Sequence, residues 1–175
     1  MKIMAMAAMA AMVGMSARAE RKVAVYVSND AAPSRVVQTA EVIAAGMFST
    51  SGVRIEWHGH APDSGQLPAG AIAISLAAQT PATLLPGALA FARPYEGIHI
   101  TVFWDRIQQR PAPAAVILAH VLVHEITHIL EGVDRHSDTG IMKARWTSHD
   151  YAAMAWKPLP FAPEDLLLVH IGLGE

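Results

Sequence analysis

The 175-residue chain predicts an α/β fold: a mixed, twisted sheet with an antiparallel edge strand, one long helix, and an irregular C-terminal part with a closing helix. Three observations predict it. A β-branched run is followed by a helical segment and then a second β run, and a helical crossover of this kind pairs its strands in parallel. Two later β runs are joined by the short connector RPYEG, a length that suits antiparallel neighbours. The segment 114–131 then keeps helical periodicity behind Pro111 and Pro113. The length fits one domain.

In chain order, RKVAVYVS at 21–28 is dense in β-branched residues and ends at the turn signal Asn29-Asp30-Ala31-Ala32-Pro33, so it predicts a buried first strand. From Ser34, Val36, Ala40, Ile43 and Met47 recur at helical spacing until STSG breaks the pattern at 49–52. VRIEW at 53–57 alternates as a second strand, 58–70 is a polar Gly/Pro loop, and AIAISLA at 71–77 is a third strand. ALAFA at 88–92 and IHITVFW at 98–104 are the fourth and fifth. After the long helix, 147–163 reads as irregular and interrupted by proline. APEDLLLVHIG then predicts a closing helix with Glu164 and Asp165 in its first turn.

Residues 1–19 read as a secretory signal. Lys2 gives a positive start, an Ala/Met/Val run follows, and Ala17-Arg18-Ala19 has the small-x-small pattern of a cleavage site. The apolar run 3–15 is shorter than the roughly 20 residues that span a bilayer. The expected mature chain is a single domain, 20–175, secreted or periplasmic. Removing Lys2 and Arg18 from thirteen basic residues leaves eleven against fifteen acidic ones, a net charge of −4, with no basic cluster. Nucleic acid is therefore excluded as an expected partner. The longest later apolar run, 112–123, carries His120 and is short for a span, so no membrane span is expected in the mature chain. With no cysteine there is neither a disulfide framework nor a thiolate metal site.

The chemistry gathers in HEITH, 124–128. His124 and His128 are four apart on a helix, so their imidazoles lie about 40° and 6 Å apart on one face and can converge on one ion. Neutral imidazole suits zinc, and Glu125, beside the first ligand, is placed to take a proton from a metal-bound water. Ionisable groups on so apolar a helix would cost about 1–3 kcal/mol each if desolvated without a partner, which a metal would supply. His120 is one turn earlier and two turns from His128, too far round the helix to share the ion. It is expected as a packed core histidine or a support to the ligands.

A catalytic zinc takes three protein ligands and keeps one open position. Glu131, Asp134 and His136 compete for the third place. Glu131 would stretch the ligand set about 10.5 Å along one straight helix, so it is better read as a polar residue of the last turn. Gly132 is expected to end the helix in a left-handed conformation and turn the chain back. Asp134 and His136 are both within reach beyond that turn.

The passage from His124 to Met142 resembles the metzincin clan of zinc endopeptidases, whose motif is H-E-x-x-H-x-x-G-x-x-H followed by a turn containing a methionine. HSDTGIM, 136–142, is most similar to the matrixin version. The resemblance implies His124, His128 and His136 as zinc ligands, Glu125 as general base, Gly132 as the turn and Met142 as the methionine of the Met-turn. It departs from the motif by one added residue on each side of Gly132, which leaves Asp134 at the clan's ordinary third-ligand spacing as the alternative third ligand. His136 is favoured because it alone stands in the matrixin relation to GIM. The clan's element order matches the order read here, with ALAFA as the edge strand that an extended peptide or protein substrate would join. The implied activity is that of an exported zinc metallopeptidase, a hydrolase acting through water activated by Glu125. No room for a propeptide is expected ahead of the first strand, so latency would rest on a protein inhibitor or on late metal loading.

Two other functions compete. One is hydrolysis of a non-peptide amide by the same residues. The other is a non-catalytic secreted module with a structural metal, whose fourth ligand would have to come from His58 or His60. Those two histidines, and His149 and Tyr151 further on, are expected as exposed loop residues.

Overall fold

The computed structural model describes residues 21–60, 62, 66–84, 86–92 and 98–174. The signal segment and the connector 93–97 lie outside the described residues. The elements are β1 (Arg21–Asn29), α1 (Ser34–Ser49), β2 (Val53–His58), β3 (Ile72–Ala77), β4 (Ala90–Ala92), β5 (His99–Phe103), α2 (Trp104–Ile107), α3 (Ala114–Glu131), α4 (Ser148–Met154) and α5 (Pro163–Gly172).

The five strands form one sheet in the order β2-β1-β3-β5-β4. Four run parallel, and β4 closes one edge antiparallel to β5, with Phe91 opposite Thr101. This is the predicted mixed sheet with its antiparallel edge. Alternation settles which face is covered: Val23, Val25, Val27, Val53, Ile55, Ile72, Ile74, Leu76, Ile100 and Val102 are all buried, and the residues between them are more open. On the other face Tyr26 stacks on His58 at 4.6 Å. His58 thus ends β2 rather than lying in a loop, and His60 is exposed in the bend that follows.

Helix α3 packs against α1, α5 and β4. That explains its composition: apolar residues run all round it because protein surrounds it, and thirteen of its residues are buried. By length and hydropathy alone Ala114–Glu131 would pass for a membrane span, but here it is the core helix. Gly132 ends it as expected, at φ 68° and ψ 18°, with its amide donating to the His128 carbonyl. The close packing of α5 on α3 depends on Gly172, where a Cβ would stand 1.8 Å from the Leu130 carbonyl oxygen.

The segment expected to be irregular contains two departures from that reading. Residues 148–154 form α4, started by a capping box in which Thr147 Oγ1 accepts from the Asp150 amide and the Asp150 carboxylate accepts from the Thr147 amide. Tyr151 is consequently not an exposed loop residue. It is buried on α4, edge-on to Trp146 at 6.2 Å. His149, on the same helix, is exposed. Trp104, expected in the fifth strand, instead opens the single turn α2.

Candidate metal centre

His124 and His128 project from α3, and their Nε2 atoms lie 3.1 Å apart. Each ring is oriented by its other nitrogen. His124 Nδ1 is 2.9 Å from the Ile141 carbonyl oxygen, and His128 Nδ1 is 3.3 Å from that of Val133. A carbonyl only accepts, so both rings carry their proton on Nδ1 and turn the Nε2 lone pairs toward each other.

The chain leaves α3 at Gly132 and brings His136 back to the same place. Its ring lies 5.3 Å from His124 and 4.9 Å from His128 between centroids. One ring nitrogen from each of the three histidines falls within 4.8 Å of the others. Asp134 is outside this group, exposed, and acts on it through its charge, raising the Glu125 carboxyl and supporting the protonated form of His128.

The donor set fits a zinc-class ion. Two Zn–N bonds of about 2.0–2.1 Å at a near-tetrahedral angle would separate their nitrogens by about 3.3 Å, close to what His124 and His128 present. The electrostatics agree. Burial, and then the neighbouring His128, push His124 down to about 3, against the Ile141 carbonyl that favours its charged form. His128 is lowered for the same first reason, burial. Both rings are therefore neutral at pH 7, which a cation requires of them.

Glu125 is 9 % exposed and lines the same cleft as His124 and His136. Burial pushes its carboxyl up to about 8. The Asp134 charge adds to the rise, and a hydrogen bond from the Ala92 amide of β4 opposes it. The acid–base candidate is thus tied to the edge strand. Met142 is fully buried, one residue after the carbonyl that holds His124. The turn that contains it is closed by Ser137 N to Met142 O at 2.9 Å and by Ile141 N to Pro160 O at 2.9 Å.

Several residues that position the site carry no motif. The Ile141 carbonyl also accepts from Trp146 Nε1 at 3.2 Å, and Trp146 lies edge-on to His124 at 5.7 Å. Both neighbours of His136 are clamped by Asp165 of α5, which is fully buried. Its Oδ1 accepts from Ser137 Oγ and, at 3.2 Å, from Arg135 Nη1, while its Oδ2 accepts from the Ala162 amide at 2.9 Å. Arg135 also pairs with Glu164 at 3.0 Å. His120 belongs to the core: Nδ1 is 2.7 Å from the Val116 carbonyl and Nε2 accepts from the Leu159 amide, so neither nitrogen is left for a metal. Glu131 sits in the last turn of α3 as expected, but it is 7 % exposed and neither carboxylate oxygen has a hydrogen-bond partner among the described residues.

No protein-family model and no curated protein matches the chain. Solved structures do. An archaemetzincin from Methanopyrus kandleri matches with a TM-score of 0.62 at 15 % identity, over 92 % of this chain and 100 % of that one. An archaemetzincin from Archaeoglobus fulgidus, solved in complex with malonate, matches with a TM-score of 0.56 at 15 % identity, over 83 % of this chain and 99 % of that one. The chain has the mixed α/β fold of the archaemetzincins, and it brings three histidines together within that fold.

Proposed function

We propose that the protein is an exported zinc-dependent endopeptidase in which His124, His128 and His136 hold the metal and Glu125 moves the proton. The observation that carries this reading is the convergence of three imidazole nitrogens beside a buried glutamate at the edge of a sheet. Zinc, when bound there, supplies Lewis acidity toward water and toward a scissile carbonyl. Glu125 takes a proton from the attacking water and delivers it to the leaving amine. Burial raises the basicity of its carboxylate, which favours taking the proton from water. The Nδ1 contacts to Ile141 and Val133 keep the two helical ligands in one tautomer, and the Asp165 clamp fixes the loop that carries His136.

The peptide substrate is favoured over a non-peptide amide by β4. It is one of the two outer strands of the sheet, and Ala88, Leu89 and Ala90 line the same cleft as Glu125. An extended chain laid there would add to the sheet through main-chain hydrogen bonds. Export rests on the signal pattern of residues 1–19.

The test is metal analysis joined to a casein and peptide-library assay on wild type and Glu125→Gln. Wild type should hold one zinc and cut. The variant should hold zinc and lose at least about a hundredfold in rate, the lower end of what a general base contributes. Zinc-loaded wild type that cuts nothing, or a variant that cuts equally well, would remove the reading.

A further inference from the structure

The cleft that His124, Glu125 and His136 enter has a volume of about 430 Å³, and its other lining carries a charge pattern that the hydrolytic machinery does not use. Arg110, Lys143 and Arg145 line it, and Glu125 is its only carboxylate among the described residues. Lys143 is neutralised by Asp150 at 2.6 Å. Arg145 is exposed and makes no ion pair among the described residues. Arg110 is different. It follows α2, where its amide is held by the Ile107 carbonyl, and its side chain is half-buried in the wall of the cleft. Among the described residues its Nη2 reaches only the Gly87 carbonyl, at 3.5 Å, and its Nε is buried with no acceptor. No carboxylate among the described residues pairs with it.

A guanidinium edge offers two parallel N–H donors, from Nε and one Nη, at the spacing of the two oxygens of a carboxylate. In Arg110 that edge has one buried donor without an acceptor and one weakly engaged. The buried Tyr151 stands close enough to feel its charge, and Arg110 is itself one of the residues that line the cleft. Resting on the peptidase reading above, we infer that Arg110 is the recognition end of a side-chain pocket that selects an acidic residue, Asp or Glu, close to the scissile bond. Arg145 at the rim adds attraction for the same charge without setting its position.

The experiment has two arms. The zinc-loaded protein is given a randomised peptide mixture, and cut sites are read by mass spectrometry. Glu-variant/Gln-variant peptide pairs, with the substitution at each position in turn, are then titrated calorimetrically into the Glu125→Gln protein. At one position beside the cut, wild type should prefer Asp and Glu over Asn and Gln by at least about tenfold, the scale of a charge-assisted bidentate contact. The Glu peptide should bind at least about tenfold tighter than its Gln partner. Both ratios should fall to near one in Arg110→Met, be partly kept in Arg110→Lys, and persist in Arg145→Ala. Cleavage without acidic preference, or a preference lost with Arg145 and kept without Arg110, overturns the pocket and leaves the peptidase reading standing. Acidic preference in binding with no cleavage by wild type overturns the peptidase reading and leaves the pocket standing. Neither binding nor cleavage of any peptide removes both.

Discussion

The Nε2 atoms of His124 and His128 face each other at 3.1 Å while the Nδ1 of each is held by a backbone carbonyl. Two lone pairs so placed repel unless something positive lies between them, and burial makes a proton a poor candidate for that role. Replacing either ring by alanine should lower zinc affinity at least about a hundredfold, the upper end of what loss of a supporting partner costs. His136→Ala should do the same and Asp134→Ala should not. Chelator competition on the four variants checks this. Full retention in His136→Ala would move the third ligand elsewhere.

The loop bearing His136 has its own anchor. Asp165 accepts from the residues on both sides of that histidine while being fully buried. Asp165→Asn replaces one acceptor oxygen with an N–H donor, which must face either the Ala162 amide or the donors of Arg135 and Ser137. It should cost about 2–4 kcal/mol in urea unfolding of the zinc-free protein, discounted for the partial exposure of Arg135. It should also weaken zinc about 10–100-fold. Ser137→Ala removes the hydrogen bond to Asp165 and the two that Arg135 donates to Ser137 Oγ, and should cost about 1–2 kcal/mol. Equal zinc affinity in Asp165→Asn and wild type would show that the loop holds His136 unaided.

Glu131 gives a stability that depends on pH. Burial pushes its carboxyl up to about 7, with Asp165 and Glu164 adding to the rise and Arg135 opposing it, and neither oxygen has a hydrogen-bond partner among the described residues. The ordinary value is 4.5, so between about pH 4.5 and 7 the folded state holds a proton that the unfolded chain has released. Stability from this group is full below pH 4.5 and is lost as pH rises through 7. Glu131→Gln should therefore match wild type near pH 5 and exceed it near pH 8, by on the order of 2–3 kcal/mol. Thermal or urea unfolding at the two pH values decides it. A difference that does not change with pH would place a partner on the carboxylate.

Periodicity makes most of this architecture readable. The buried alternation of β1 through β5 and the apolar run of α3 are local patterns, and HEITH with Gly132 encodes its own geometry within one helix and its cap. The features that sequence does not reveal have two causes. Helix α4 has a local signal, Thr147 and Asp150 in a capping box, that the prolines around it outweigh. Asp165 with Arg135, and Arg110 with the cleft, have no local signal. Asp165 lies thirty residues from its partner and has the composition of an ordinary first-turn acid, so only the packing of α5 on α3 brings the pair together. Tyr151 is illegible for a related reason, since its burial depends on Trp146 and the cleft wall rather than on its own neighbours.

Two glycines flank His136, and their substitutions should separate backbone conformation from space. Gly132 has φ 68°, and a Cβ added there would meet nothing within 4 Å, so Gly132→Ala meets only the left-handed strain of about 1–2 kcal/mol. Gly140 has φ 75°, and a Cβ there would stand 2.3 Å from the Pro160 carbonyl oxygen, which accepts from the Ile141 amide. Gly140→Ala adds a clash to the same strain, and the turn must shift to relieve it. That shift moves the Ile141 carbonyl, which orients His124. Gly140→Ala should therefore cost more stability than Gly132→Ala, by about 1–3 kcal/mol, and should also weaken zinc about tenfold or more. Unfolding and chelator competition on the two variants check both parts. Equal zinc affinity in the two would mean that the Met142 turn can move without disturbing His124.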